Sequence, residues 1–175
     1  QYETAIKPFY EAVSYGRATV PTITVVGRYR LTQSAGLCGF PNAEAFKAAD
    51  PDLDYRQCDF VSVIGPFNCG WGGIAYLGRV NYSTDDGVVR LGISSNATHW
   101  GPTVLGGVNI HELGHNFRLH HCGFLSCGAN AINAGRAGCT HNEYGNPYCD
   151  LGNFAFSGII GLFEPNQRLF AGWLN

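Results

Sequence analysis

A chain of 175 residues, 45% hydrophobic and 14% charged, has the apolar material for one packed domain and too little charge for a disordered one. Its formal net charge of −2 comes without a basic block, which argues against a nucleic-acid partner. No apolar run reaches the ~18–20 residues of a membrane-spanning helix, so no membrane partner is expected.

In chain order, Ala5 to Tyr15 spaces Ile6, Phe9, Tyr10 and Val13 as one helix face, and Gly16 is expected to stop it. Thr19 to Tyr29, rich in Thr, Val and Ile, reads as a strand. Asn42 to Ala49 reads as a short helix between Pro41 and Asp50-Pro51. Phe60 to Ile64 is nearly all apolar and suits a buried central strand. Gly72 to Gly78 reads as a short edge strand and Val88 to Ile93 as another strand. Pro102 sits at the first turn of a helix expected over Thr103 to Phe117, which Gly106 and Gly107 weaken by roughly 1 kcal/mol each. Beyond His121 the chain is rich in Gly, Asn and Cys until an apolar tail, Phe154 to Leu174.

Seven cysteines without zinc-module spacing, two N-glycosylation sequons at Asn81 and Asn96, and an opening at Gln1 in a chain without Met together suit a secreted, processed, disulfide-bonded glycoprotein. The odd count leaves one cysteine over.

The chemistry concentrates at His111-Glu112-Leu113-Gly114-His115. Positions i and i+4 share a helix face, so His111 and His115 can offer imidazoles to one ion, and Glu112 can reach a metal-bound water. A catalytic zinc site needs a third protein ligand and an open position. His121 lies six residues on, and a continuing helix would carry it off the ligand face, so the helix must end near residue 118. His120, Glu143, His99 and His141 are the other candidates. The His-Glu-x-x-His pattern arises by chance in roughly one chain in a few hundred, and a further His at 121 lowers this to the order of one in ten thousand, so a metal site outweighs a merely solvated helix face. Tyr148 could assist an oxyanion or ligate the metal, although an ordinary packed tyrosine is the commoner case.

From His111 to His121 the sequence HELGHNFRLHH resembles the HExxHxxGxxH motif of the metzincin peptidases. HELGHNF, Phe9 to Gly16, Gly70 to Gly78, Glu143 to Gly152 and Arg168 to Leu174 are most similar to the gametolysin family of algal matrix-degrading metallopeptidases. The resemblance implies an α+β, metzincin-like zincin fold spanning 1–175. Its upper subdomain, about 1–121, would carry a twisted mixed sheet and long helices. Its lower part, 122–175, would be small, irregular and disulfide-bearing. It further implies Zn2+ on His111, His115 and His121, Glu112 as general base, and an extended polypeptide substrate pairing with the edge strand at Gly73 to Gly78. The protein is then a secreted, monomeric zinc endopeptidase acting on extracellular matrix or cell-wall proteins, made with a propeptide. A catalytically weak or silent zinc-binding protein of the same fold is the competing reading. Two positions depart from the family pattern. Arg118 stands where the turn has Gly, at a cost of roughly 1–2 kcal/mol if it turns left-handed. Leu151 stands where Met floors the metal site, a similar volume and a mild change.

Overall fold

The computed structural model describes residues 2–19, 23–32, 38–129, 138–153 and 161–174. After a single wide helical turn at Tyr2–Ile6, helix α1 (Lys7–Val13) runs with Pro8 in its first turn. Ile6, Phe9, Tyr10 and Val13 are all buried, as their 3–4 spacing requires. The helix stops where Tyr15 and Gly16 take positive φ of 55° and 75°. Helix α2 (Ala43–Ala49) starts at Asn42, whose side chain accepts the Ala45 N–H at 2.9 Å.

The main sheet comprises β1 (Phe60–Gly65), β2 (Gly73–Ala75), β3 (Val80–Thr84) and β4 (Gly87–Ala97). Strand β4 is central, with β1 parallel on one side and β2 antiparallel on the other. Strand β3 forms a hairpin with the first half of β4 through the tight turn at Asp85-Asp86. Period-2 alternation sends β4 residues to two layers. Val89, Leu91 and Ile93 meet Phe46 of α2 and Tyr55. Gly92, Ser94 and Asn96 lie on the opposite face, against which helix α3 (Pro102–Asn116) packs. Gly106 and Gly107 do not break α3: both are buried, and packing outweighs propensity there.

The far side of α3 closes a second core. Ile110 and Leu119 pack with Tyr10, Leu151, Phe163 and Trp173, so the first and last parts of the chain share one floor. The Tyr10 hydroxyl donates to the Ile110 carbonyl at 2.7 Å, satisfying that buried phenol. Helix α4 (Pro165–Phe170) opens with a reciprocal capping box between Glu164 and Gln167. A two-stranded ribbon, β5 (Phe124–Ser126) with β6 (Thr140–Asn142), is tied at the end where its strands connect by the Cys127–Cys139 disulfide. Cys38–Cys69 and Cys122–Cys149 are the other two bridges, and Cys58 is free. Among the described residues, no helix is long and apolar enough to cross a membrane.

Three expectations are corrected, and one strand was not foreseen. The described part of Thr19–Tyr29 is not a strand: it finds no pairing partner, and Val25 is 85% exposed. Residues 20–22 of that segment, and 154–160 of the apolar tail, lie outside the described residues. Among the described residues, Phe60–Ile64 is an outer strand rather than a central one, since β4 takes the middle and Ile64 stays 44% exposed. Strand β3 was not expected at all. The sequon asparagine Asn96 is 0% exposed, its side-chain amide donating to the Ser62 hydroxyl at 2.7 Å, so no glycan fits there. Asn81 is exposed on β3.

Candidate metal centre

The last turn of α3 builds the site. Arg118 takes φ 68°, the left-handed conformation for which glycine is the easy residue. The Arg118 N–H donates to the His115 carbonyl at 2.7 Å and the Leu119 N–H to the Gly114 carbonyl at 3.1 Å. These two bonds form a Schellman motif that ends the helix and reverses the chain. The reversal is then pinned, since the Cys122 N–H donates to the Leu151 carbonyl at 2.8 Å and Cys122 is bridged to Cys149. Replacing Arg118 with Gly is expected to stabilise the protein by about 0.5–1 kcal/mol, because the left-handed strain outweighs the added unfolded-state entropy. Denaturant melts of the two forms check it.

The turn brings His121 back to the ligand face. His115 Nε2 lies 3.1 Å from His111 Nε2 and 3.1 Å from His121 Nε2. Each imidazole spends its proton on the far side. His111 Nδ1 is 2.5 Å from the Asp150 carbonyl oxygen, His115 Nδ1 is 2.7 Å from that of Leu119, and His121 Nδ1 is 2.6 Å from Glu143 Oε1. Carbonyl and carboxylate oxygens only accept, so each Nδ1 carries a hydrogen, and the neutral form of each ring then turns its Nε2 lone pair toward the other two. Three converging lone pairs suit a cation. Ligands ~2.0–2.1 Å from a tetrahedral zinc stand about 3.3 Å apart, close to the spacing seen, so the residues present fit the ion. Burial, and then the neighbouring His115, hold His111 down to about 3, and burial first holds His115 down to about 4. Both imidazoles are therefore neutral and available as ligands at physiological pH. Among the described residues these three form the one group of His, Cys, Asp or Glu able to hold a metal.

Glu112 is 5% exposed, and burial pushes its carboxyl up to about 8. It fits only because residue 73 has no side chain. A Cβ on Gly73 would stand 2.6 Å from Glu112 Oε1 and 2.7 Å from Val108 Cγ1. Gly73→Ala is expected to displace the carboxylate and cost on the order of 10²-fold in turnover, as misplacement by about 1 Å does, read as kcat on any cleaved peptide.

The cleft divides into two parts that share Ala75, His115 and His121. One, about 460 Å³, is walled by Trp71, Gly73, Trp100, Glu112 and Tyr144. The other, about 440 Å³, is walled by Leu77, His120, His141 and Glu143. Sheet and site are fastened together by Asn116, whose amide donates to the carbonyls of Tyr76 at 2.9 Å and Ile93 at 3.2 Å. Leu151, 0% exposed, packs under Gly114 as the apolar floor.

The structure thus gathers His111, Glu112, His115 and His121. His120 and His141 lie on the cleft wall, outside the triad. His99 is exposed beside Trp100. Glu143 meets His121 from behind instead of joining the triad. Tyr148 is 78% exposed and does not line the cleft. Tyr144, which sequence reasoning passed over, has its ring 4.0 Å from that of His121. Its adjacency to Glu143, already a candidate, was the one available signal.

No curated protein and no solved structure matches the chain. A sequence model described as reprolysin-like metallo-peptidase family M12B matches residues 40–122, just under half the chain, from before α2 to just past His121. Together, that match and the three-histidine group support a zinc metallopeptidase of the metzincin type.

Proposed function

We propose that this chain is a secreted zinc endopeptidase in which His111, His115 and His121 hold the metal and Glu112 is the general base. The observation that carries the proposal is the convergence of three histidine Nε2 atoms beside a buried carboxyl group, at the foot of an edge strand. Zinc held there would polarise the scissile carbonyl and acidify the attacking water. Beside a cation the Glu112 pKa falls from about 8 toward the ordinary carboxylate range. Glu112 then takes the proton of the attacking water and passes it to the leaving amine. The apolar wall around it keeps bulk water from competing for that proton.

Substrate binding follows from β2. Its bonds to β4 run through the Gly72 carbonyl and the Tyr76 N–H. By strand alternation the backbone groups of Gly73 and Ala75 turn toward the cleft, where an extended polypeptide can add as a further strand. The whole of 1–175 acts as one catalytic domain, with residues from about 122 onward forming the lower wall. Matrix or cell-wall glycoproteins, the substrates of the gametolysin family it resembles, are the proposed targets. Three disulfides suit an oxidising, extracellular setting. Neither departure from the motif argues for a silent protein, since Arg118 makes the turn and Leu151 fills the floor. The test is a casein or gelatin digest. Cleavage that stops with a chelator and returns with zinc is expected, and bound zinc without cleavage would refute the peptidase reading.

A further inference from the structure

The three histidines are not held alike. His111 and His115 sit on α3, and both donate to backbone carbonyls, which no substitution removes. His121 lies beyond the helix, and its Nδ1–H goes to a side chain, Glu143, at 2.6 Å. The next residue, Tyr144, lays its ring on the same imidazole, centroids 4.0 Å apart and planes inclined by 39°. Consecutive residues therefore fix one ring by its edge and by its face. We propose that Glu143 and Tyr144 are positioning residues, a clamp that makes His121 a metal ligand. This rests on the three-histidine metal site proposed above.

The clamp is delivered by the β5–β6 ribbon. Glu143 directly follows β6, whose Asn142 pairs with Phe124. The Gly145 N–H closes a turn on the Asn142 carbonyl at 3.2 Å. A Cβ at Gly145 would stand 2.1 Å from the Phe124 ring, so glycine lets the chain fold back over the ribbon without pushing that ring aside. The Asn146 N–H then donates to the Cys122 carbonyl at 3.1 Å, one residue past His121. Ribbon and ligand segment are thus tied on both sides of the clamp. The chemistry agrees: a carboxylate on the far nitrogen fixes the tautomer that leaves Nε2 free, orients the ring and raises its basicity toward the metal. Without it, His121 is a loop residue free to rotate its ring.

The test is zinc affinity, measured by competition with a chromophoric chelator, and the visible spectrum of the cobalt-substituted protein. Glu143→Ala is expected to weaken zinc binding about 10- to 100-fold and to alter the cobalt spectrum. Glu143→Gln keeps an acceptor oxygen without the charge and should recover part of the loss. Tyr144→Phe keeps the ring and should match the parent, whereas Tyr144→Ala should weaken binding. The Glu143 side chain is 64% exposed, so the metal-free variants should melt with the parent. Affinity within twofold of the parent in Glu143→Ala, or a loss that tracks a fall in metal-free stability, overturns the proposal. A parent that binds no zinc fails at the site itself. A parent that binds zinc but digests nothing fails only as a peptidase and leaves the clamp standing.

Discussion

Glu112→Ala is expected to lose at least about 10²- to 10⁴-fold in kcat, the contribution of a positioned general acid–base, while zinc stays bound. The separation of the two effects follows from geometry. Glu112 is not among the three Nε2 donors, and its carboxyl is buried against Gly73. Removing it leaves the ligand set and the bonds that orient it untouched. Fold stability should hold, because a carboxyl pushed up to about 8 by burial is itself a desolvated group. Glu112→Gln is the sharper variant, since it fills the same volume and lacks only the basic oxygen. Peptide turnover measured beside zinc content checks both. A variant of either kind that kept full turnover would remove Glu112 from the mechanism.

His115→Ala should have the largest effect on the metal. Its Nε2 is 3.1 Å from each of the others, so it is the middle ligand of the three. Structural four-ligand zinc sites bind with about 10–16 kcal/mol, roughly 3–4 kcal/mol per ligand, so losing one weakens affinity by several hundredfold. His115 also carries the turn, because its carbonyl accepts both the Arg118 N–H at 2.7 Å and the Gly78 N–H at 2.8 Å. Those are backbone bonds, and alanine keeps them. The variant should therefore fold and still fail to retain zinc through dialysis. Zinc content by atomic emission, with circular dichroism to confirm the fold, gives the answer.

The sequence exposed the centre of this site because helical spacing is local. An i, i+4 pair of histidines and an intervening Glu need only α3 to form. The need for a break near residue 118 also followed from helix periodicity, and Arg118 at φ 68° is that break. What was hidden depended on contacts distant in sequence. Glu143 and Tyr144 reach His121 across 22 and 23 residues, through a ribbon whose three-residue strands have no apolar alternation to reveal them. Strand β3 was hidden by its polar Asn81 and Ser83, although the turn before Gly87 is an ordinary hairpin signal. Thr19 to Tyr29 failed in the other direction. Its β-branched residues favour extended backbone, but a strand needs a partner, and the described residues of the segment pair with none. Phe60 to Ile64 misled because an apolar run reads as burial on both faces, while the topology left it outermost. Asn96 shows the limit of a short motif. The triplet is intact, but the central strand of the sheet swallows it.

Anomalous diffraction at the zinc edge, from crystals grown with zinc, would locate the ion among the histidines. One ion is expected on the Nε2 atoms of His111, His115 and His121 at ~2.0–2.1 Å, with a position open toward Glu112 and Glu143 still on His121 Nδ1. An ion on His120, His141 or the Glu143 carboxylate, or no anomalous peak at the triad, would contradict it.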